Sequence, residues 1–119
     1  IWGYQDLLNM DPLDHWEAFD LVVSNPPYVL EKERPNMAPH ILDFEPPSAL
    51  FVKDHEPLIF YQGIAAFCKK YLAEEGEIWV EINEQFGRAT SRLFEKEGFK
   101  KVRLMKDIHD KERYIHACR

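Results

Sequence analysis

All eight prolines of this 119-residue chain lie between Pro12 and Pro57, and none follows. Proline fixes φ and lacks a backbone N–H, so it interrupts helix interiors and central strands. The chain is therefore divided into a first part that resists regular structure and a second part that is free to form it. Residues 30–54 show no apolar periodicity. A loop of that length in a compact domain is generally functional or disordered.

The second part of the chain alternates helix and strand patterns. An apolar stripe from Leu58 to Leu72 has the spacing of a core-facing helix. Asp54 is placed to cap this helix and Gly76 to end it. The elements that follow are a strand over 77–83, a helix over 84–97 ended by Gly98, and two strands over 101–107 and 113–119 that form an antiparallel hairpin.

The first strand, over residues 19–23, is continuously apolar after Asp20, which is typical of a parallel strand covered on both faces. Strands that alternate with helices predict an α/β fold. We expect a parallel sheet with helices on its faces, finished by an antiparallel edge strand from the hairpin.

Charge is distributed unevenly along the chain, whose net value is −6. Residues 1–95 hold 7 Lys and Arg against 17 Asp and Glu, whereas residues 96–119 hold 8 against 4. An acidic region is a poor docking surface for a phosphate backbone, which argues against direct nucleic-acid binding. Because residues 96–119 are basic, nucleic-acid binding is not excluded.

Composition also bears on location. No stretch has the length of a membrane span or the pattern of a signal peptide. Cys68 and Cys118 lack metal-ligand spacing and are expected to be reduced thiols of a cytoplasmic protein. No two histidines have the i, i+4 spacing of a metal pair, so no metal site is predicted.

The sequence Asn25-Pro26-Pro27-Tyr28 directly follows the first strand, where open α/β sheets bind their ligands. The two prolines make a stiff turn without N–H groups. The Asn25 side chain and the Pro26 carbonyl supply two acceptors, and Tyr28 supplies a flat face. This set suits a planar –NH₂ group, whose N–H bonds become stronger donors as its nitrogen attacks an electrophile. The alternative is structural: the prolines end the strand and Tyr28 fills the core.

Four blocks in this order resemble the PrmC/HemK family of protein-(glutamine-N5) methyltransferases, which act on peptide chain release factors. NPPY alone is shared with DNA adenine-N6 and several RNA amino-methyltransferases, so the set is the more specific signal. The blocks are SNPPYV (24–29), FEPPSAL (44–50), GEIWVEIN (76–83) with Gln85 beyond, and DIHDKERY (107–114).

The resemblance implies a Rossmann-like enzyme that uses S-adenosylmethionine to methylate the glutamine of a Gly-Gly-Gln loop. It implies that Asn25, Pro26, Pro27 and Tyr28 bind the glutamine side chain, with Asn25 and Pro26 as the catalytic acceptors. Asn25 would also lie near the methyl donor. Asp6 or Leu7 would match the loop beside the cofactor's adenine.

The chain departs from the family pattern at the cofactor site, because it contains no Gly-x-Gly sequence. The family's glycine-rich loop, ribose-binding acidic residue and N-terminal helical domain would all precede Ile1. We therefore expect residues 1–119 to be the C-terminal part of one catalytic domain. We expect little or no activity from the chain alone.

Two other functions and two residue roles stay open. The chain could belong to an enzyme that methylates an exocyclic amine of rRNA or DNA, or to a non-catalytic subunit that keeps the pocket for binding. Glu81 could order the site loops or be a structural carboxylate. Asp43 and Glu45 could position the substrate or be ordinary loop residues.

Overall fold

The computed structural model describes residues 3, 5–11 and 16–119. Its strands are β1 (Phe19–Ser24), β2 (Val29–Leu30), β3 (Phe51–Val52), β4 (Leu72–Glu81), β5 (Lys100–Lys106) and β6 (Glu112–Cys118). Its helices are α1 (Pro39–Phe44), α2 (Pro47–Leu50), α3 (Ile59–Tyr71) and α4 (Gly87–Lys96), with 3₁₀ turns at Glu31–Asn36 and Glu84–Phe86.

The main sheet has the strand order β1-β4-β6-β5, and the short strands β2 and β3 pair separately in parallel. Strands β1 and β4 are parallel, and β6 is antiparallel to both β4 and β5. Strand β5 therefore runs in the direction of β4, so the carboxyl ends of β1, β4 and β5 share one edge. The predicted α/β fold and hairpin are confirmed. The prediction that the antiparallel strand forms the edge is wrong, because β6 inserts between β4 and β5.

Helices α3 and α4 cover one face of the sheet. On that face the register aligns Val22, Ile78 and Ala117, and α3 contributes the buried residues Tyr61, Ile64, Ala65 and Cys68. The predicted end of the second helix is confirmed, since Gly98 has a φ of 95° that other residues rarely adopt. None of the described helices is both long and apolar enough to cross a membrane.

The opposite face is open along β1, which contradicts the prediction of a strand covered on both sides. The side chains of Leu21 and Val23 are 54% and 70% exposed. The apolar run is misleading because the described helices α3 and α4 pack on one face only, toward which Val22 and Phe19 turn. A continuous apolar run therefore does not show that both faces of a strand are covered by other elements. In the described chain, one face of β1 is exposed.

Two helix boundaries and the role of the prolines also differ from the sequence-based expectation. Helix α3 begins at Ile59 without a cap from Asp54, whose carboxylate instead accepts a hydrogen bond from the Lys32 backbone at 3.2 Å. The helix ends at Tyr71, and Gly76 lies inside β4. In the segment predicted to lack helices, two short ones occur because their prolines, Pro39 and Pro47, occupy the first turn, where no N–H is needed.

Candidate active site

The turn Asn25–Tyr28, called here the NPPY turn, lies at the carboxyl edge of the sheet. It follows β1 directly, and Ser24 is paired with Val80 on β4. The end of β4 and the turn between β5 and β6 lie at the same edge. Three of the four blocks that carry the family resemblance therefore meet here.

The two predicted catalytic acceptors differ in their exposure. Asn25 is exposed and Pro26 is buried. Within the part of the chain that the structure describes, neither the Asn25 side chain nor the Pro26 carbonyl has a hydrogen-bond partner. Neither oxygen is occupied by another described residue, which is a condition for the expected acceptor role.

Tyr28 is fixed at both of its polar ends. Its hydroxyl donates to a Glu81 carboxylate oxygen at 2.6 Å, and its backbone carbonyl accepts from the Asn83 side chain at 3.1 Å. Its ring packs against the edge of the core. Glu81 consequently orders the turn through a hydrogen bond. Tyr28 is part of the turn, and its ring also packs against the core.

The electrostatic surroundings of Tyr28 keep it protonated. Burial, followed by the hydrogen bond and the charge of Glu81, raises the pKa of Tyr28 to about 12. Burial likewise raises the pKa of Tyr61, whose hydroxyl donates to the Glu81 backbone carbonyl at 2.8 Å. Both phenols are therefore donors near neutral pH, and neither can act there as a general base.

Two clefts flank the NPPY turn and share Ser24. The first, of about 170 Å³, contains the Asn25 side of the turn and the second, of about 400 Å³, contains its two prolines. The first is lined by Val23, Ser24, Asn25, Trp79, Val80, Glu81 and Tyr114. The lining of the second includes Gln5, Asp6, Leu7, Ser24, Pro26, Pro27, Ser48 and Phe60.

Asp6 and Leu7 lie beside the NPPY turn, in the second cleft. The Leu7 segment rests on α3 at Gly63, where an added Cβ would stand only 2.8 Å from the Leu7 carbonyl oxygen. Hydrogen bonds from the Asn9 side chain and the Leu8 backbone lower the pKa of Asp6. The cleft therefore has an apolar wall and an ionised carboxylate near its rim.

Sequence reasoning missed a polar cluster behind the turn. Asn83 is only 6% exposed, and its side chain donates to Tyr28 and to Glu33 at 3.1 and 3.0 Å. The available signal was Asn83 itself, the polar residue that ends the strand predicted over 77–83. Its partner Glu33 is 50 residues away, and nothing local in the sequence links the two.

Other candidate residues lie outside this cluster. Asp43 and Glu45 are exposed at the end of α1, and Phe44 between them is 84% exposed. His116 pairs with Glu77 at 3.1 Å on the open sheet face. Among residues 3, 5–11 and 16–119, no group of His, Cys, Asp and Glu could hold a metal ion. His15 lies outside the described residues.

The fold can be compared with that of a solved structure. The protein-(glutamine-N5) methyltransferase (release factor-specific) of Alicyclobacillus acidocaldarius matches with a TM-score of 0.54 and 25% identity. The match covers 86% of this chain and 49% of that one. The chain thus has part of the fold of a Rossmann-like methyltransferase.

Sequence relatives identify the family. The release factor glutamine methyltransferase of Bacteroides thetaiotaomicron is 40% identical over 115 residues, which are 97% of this chain and 41% of that protein. That of Clostridium acetobutylicum is 39% identical over 96% of this chain and 39% of its own length. The chain belongs to this family, PrmC/HemK, and the resemblance drawn from four blocks is confirmed. It spans about two fifths of the length of these relatives. No family model matches it.

Proposed function

We propose that the protein containing this chain transfers a methyl group from S-adenosylmethionine to the side-chain amide nitrogen of the glutamine in the Gly-Gly-Gln loop of peptide chain release factors. The observation that carries the proposal is the position of the NPPY turn at the carboxyl edge of the sheet, where Asn25 and the Pro26 carbonyl have no hydrogen-bond partner among the described residues. The relatives named above are called release factor glutamine methyltransferases, which supports a release-factor glutamine as the methyl acceptor.

The chemistry follows from the two acceptors. The lone pair of an amide nitrogen is delocalised, so the nitrogen is a weak nucleophile. Acceptance of its two N–H bonds by the Asn25 side chain and the Pro26 carbonyl would turn the lone pair toward the methyl group. As the nitrogen becomes positive these bonds strengthen, which stabilises the transition state more than the ground state. The methylated nitrogen can then lose a proton to water, so the chain needs no general base.

The second cleft fits one end of the cofactor. Leu7, Pro26, Pro27 and Phe60 would provide apolar contacts for a nucleoside, with Asp6 as a polar partner at the rim. S-adenosylmethionine supplies an electrophilic methyl group on a sulfonium sulfur. The sequence has no glycine-rich loop to hold the rest of that molecule. We therefore infer that other parts of the family's length complete the site and that the 119 residues alone are inactive.

The sequence leaves two rival functions open. An enzyme acting on an exocyclic amine of rRNA or DNA needs cations around the turn. Among the described residues, the first cleft is lined by Glu81 and the second by Asp6, and neither is lined by Lys or Arg. This charge pattern favours a protein substrate. A binding subunit would keep the pocket without transferring a methyl group, and activity distinguishes it. Cys68 and Cys118 are free thiols, which supports a cytoplasmic location, where thiols stay reduced.

The test is a chimera in which this chain replaces the matching 115-residue stretch of the Bacteroides thetaiotaomicron relative. The chimera is incubated with labelled S-adenosylmethionine and a release factor. Asn25→Ala should lower the rate by about 10²–10³, as the loss of one oxyanion-hole donor does. Asn36→Ala, an exposed asparagine outside both clefts, is the matched control and should keep the rate.

The outcomes separate the three functions. Label on the glutamine, lost in Asn25→Ala and kept in Asn36→Ala, supports the proposal. Label on rRNA or DNA but not on the release factor would replace it with the base-amine enzyme. A folded chimera that labels none of these substrates would favour the binding subunit.

A further inference from the structure

Three side chains behind the NPPY turn form what we call the Glu33–Asn83 cluster: Glu33, Asn83 and Gln85. One Glu33 oxygen accepts from the Leu30 backbone N–H at 2.7 Å and from Asn83 at 3.0 Å. Its other oxygen accepts from the Gln85 side chain at 3.0 Å. The carboxylate thus connects the 3₁₀ turn after β2 to the segment that follows β4, at the start of the second 3₁₀ turn.

Asn83 uses both of its donors and its acceptor oxygen in this cluster. Its amide nitrogen donates to the Tyr28 carbonyl and to Glu33, and its oxygen accepts from the Gln85 backbone N–H at 3.0 Å. The side chain is buried, so each of these groups would be costly to leave unpaired. A planar amide with two donors and one acceptor satisfies all three partners, which neither a carboxylate nor an aliphatic side chain can do.

This arrangement gives the NPPY turn a second anchor. On its first side the turn is held by β1, where Ser24 pairs with Val80. Pro26 and Pro27 have no N–H and cannot hold the turn through backbone donors of their own. After them the Tyr28 backbone carbonyl is held by Asn83, just beyond the end of β4, while the Tyr28 hydroxyl is held by Glu81 at that end. The positions of Asn25 and Pro26 therefore depend on Ser24 at one end and Asn83 at the other.

We propose that Asn83, oriented by Glu33, is a positioning residue for methyl transfer: it fixes the Tyr28 carbonyl and thereby sets the two acceptor oxygens of the NPPY turn. The proposal rests on the proposed function. Asn83 touches no substrate; it acts through Tyr28. A displacement of about 1 Å in a group that orients the reacting atoms can cost about 100-fold in rate.

Asn83→Asp in the chimera is the sharpest variant. Aspartate keeps the oxygen that accepts from the Gln85 backbone, as Asp and Asn are equivalent helix caps. It loses the donors to Tyr28 and Glu33 and places a second carboxylate beside that of Glu33. We expect kcat to fall by roughly 10- to 100-fold while KM for the release factor stays within about threefold, since the docking surface is unchanged.

Three further variants separate positioning from folding and from charge. Asn36→Asp adds the same charge on the exposed surface and should leave kcat unchanged. Val102→Ala removes core packing from β5, away from the turn, and should lower the melting temperature without lowering kcat. Glu33→Gln keeps the size of the side chain but loses at least one of its acceptor contacts, and it should lower kcat by several-fold. This variant decides the question if Asn83→Asp does not fold.

The unmodified chimera must first label the glutamine of the release factor; otherwise the proposed function fails, independently of Asn83. If it is active and folded Asn83→Asp keeps its kcat, the positioning role is refuted. The role is also refuted if kcat drops no more than in Val102→Ala at an equal loss of stability. A fall in kcat at constant KM, absent from both controls, supports the proposal.

Discussion

At the scale of single residues, Glu81 shows how one side chain can stabilise a turn that is distant in sequence. Its carboxylate accepts from the Tyr28 hydroxyl at 2.6 Å, and its backbone carbonyl accepts from Tyr61 at 2.8 Å. Two phenols thus converge on the last residue of β4. A hydrogen bond to a charged group contributes more to stability than one between neutral groups.

The contribution of the Tyr28 hydroxyl can be measured directly. Tyr28→Phe removes the hydrogen bond to Glu81 and keeps the ring and the backbone, so it should lower the free energy of unfolding by about 1–2 kcal/mol. Urea denaturation of the folded chimera measures this change. Tyr114→Phe removes a hydroxyl from a more exposed tyrosine on β6 and should change stability by less than about 0.5 kcal/mol. Equal effects of the two substitutions would show that the Glu81 contact contributes nothing.

At the scale of elements, the turn between β5 and β6 is organised by one carboxylate. Asp107 accepts from the backbone N–H groups of His109 and Lys111 at 2.8 and 3.1 Å and from Arg113 at 3.3 Å. Burial raises the pKa of Asp107, but these hydrogen bonds outweigh it and hold the pKa below the ordinary value of 3.8. Arg113 also interacts with the side chain of Tyr28, which links this turn to the candidate site.

A lowered pKa in the folded state makes the stability of this turn depend on pH. The contribution of Asp107 is fully present above its ordinary pKa of 3.8 and is lost as the pH falls through the lower folded value. Asp107→Asn should therefore lower the melting temperature at pH 7, and its difference from the unmodified protein should shrink on acidification below 3.8. Asp110→Asn, at an 85% exposed side chain paired with Lys106, should change little at either pH. A difference that grew on acidification would contradict the assignment.

Sequence patterns predicted the elements better than they predicted the contacts between them. Strand β4, helix α4 and the hairpin follow from local periodicity, and the NPPY turn follows from its place after a strand. The prolines of residues 35–47 hid α1 and α2, because proline is favourable in a first helical turn and unfavourable later. The Glu33–Asn83 contact joins residues 50 positions apart, which only the fold brings together.

At the scale of the whole molecule, the sheet has one covered and one open face. The register places Val23, Trp79 and His116 on the open side, opposite the face that α3 and α4 cover. Exposed apolar residues on an edge strand favour association between chains. In β1 this risk is concentrated at Val23, which is 70% exposed and lies on a strand paired on one side only.

The 119-residue chain by itself should therefore self-associate, and a charge at Val23 should suppress this. Val23→Lys introduces a cation on the open face of the edge strand, where it loses little packing, so the free energy of unfolding should change by less than about 0.5 kcal/mol. Sedimentation velocity over a wide range of concentration should show a larger monomer fraction than in the unmodified chain. Val22→Lys is the matched control: it differs by one position, but Val22 packs against the core, so this substitution should lower the free energy of unfolding far more than Val23→Lys does. If the unmodified chain is monomeric at every concentration, the open face does not drive association; if Val23→Lys unfolds it, β1 is covered on both sides after all.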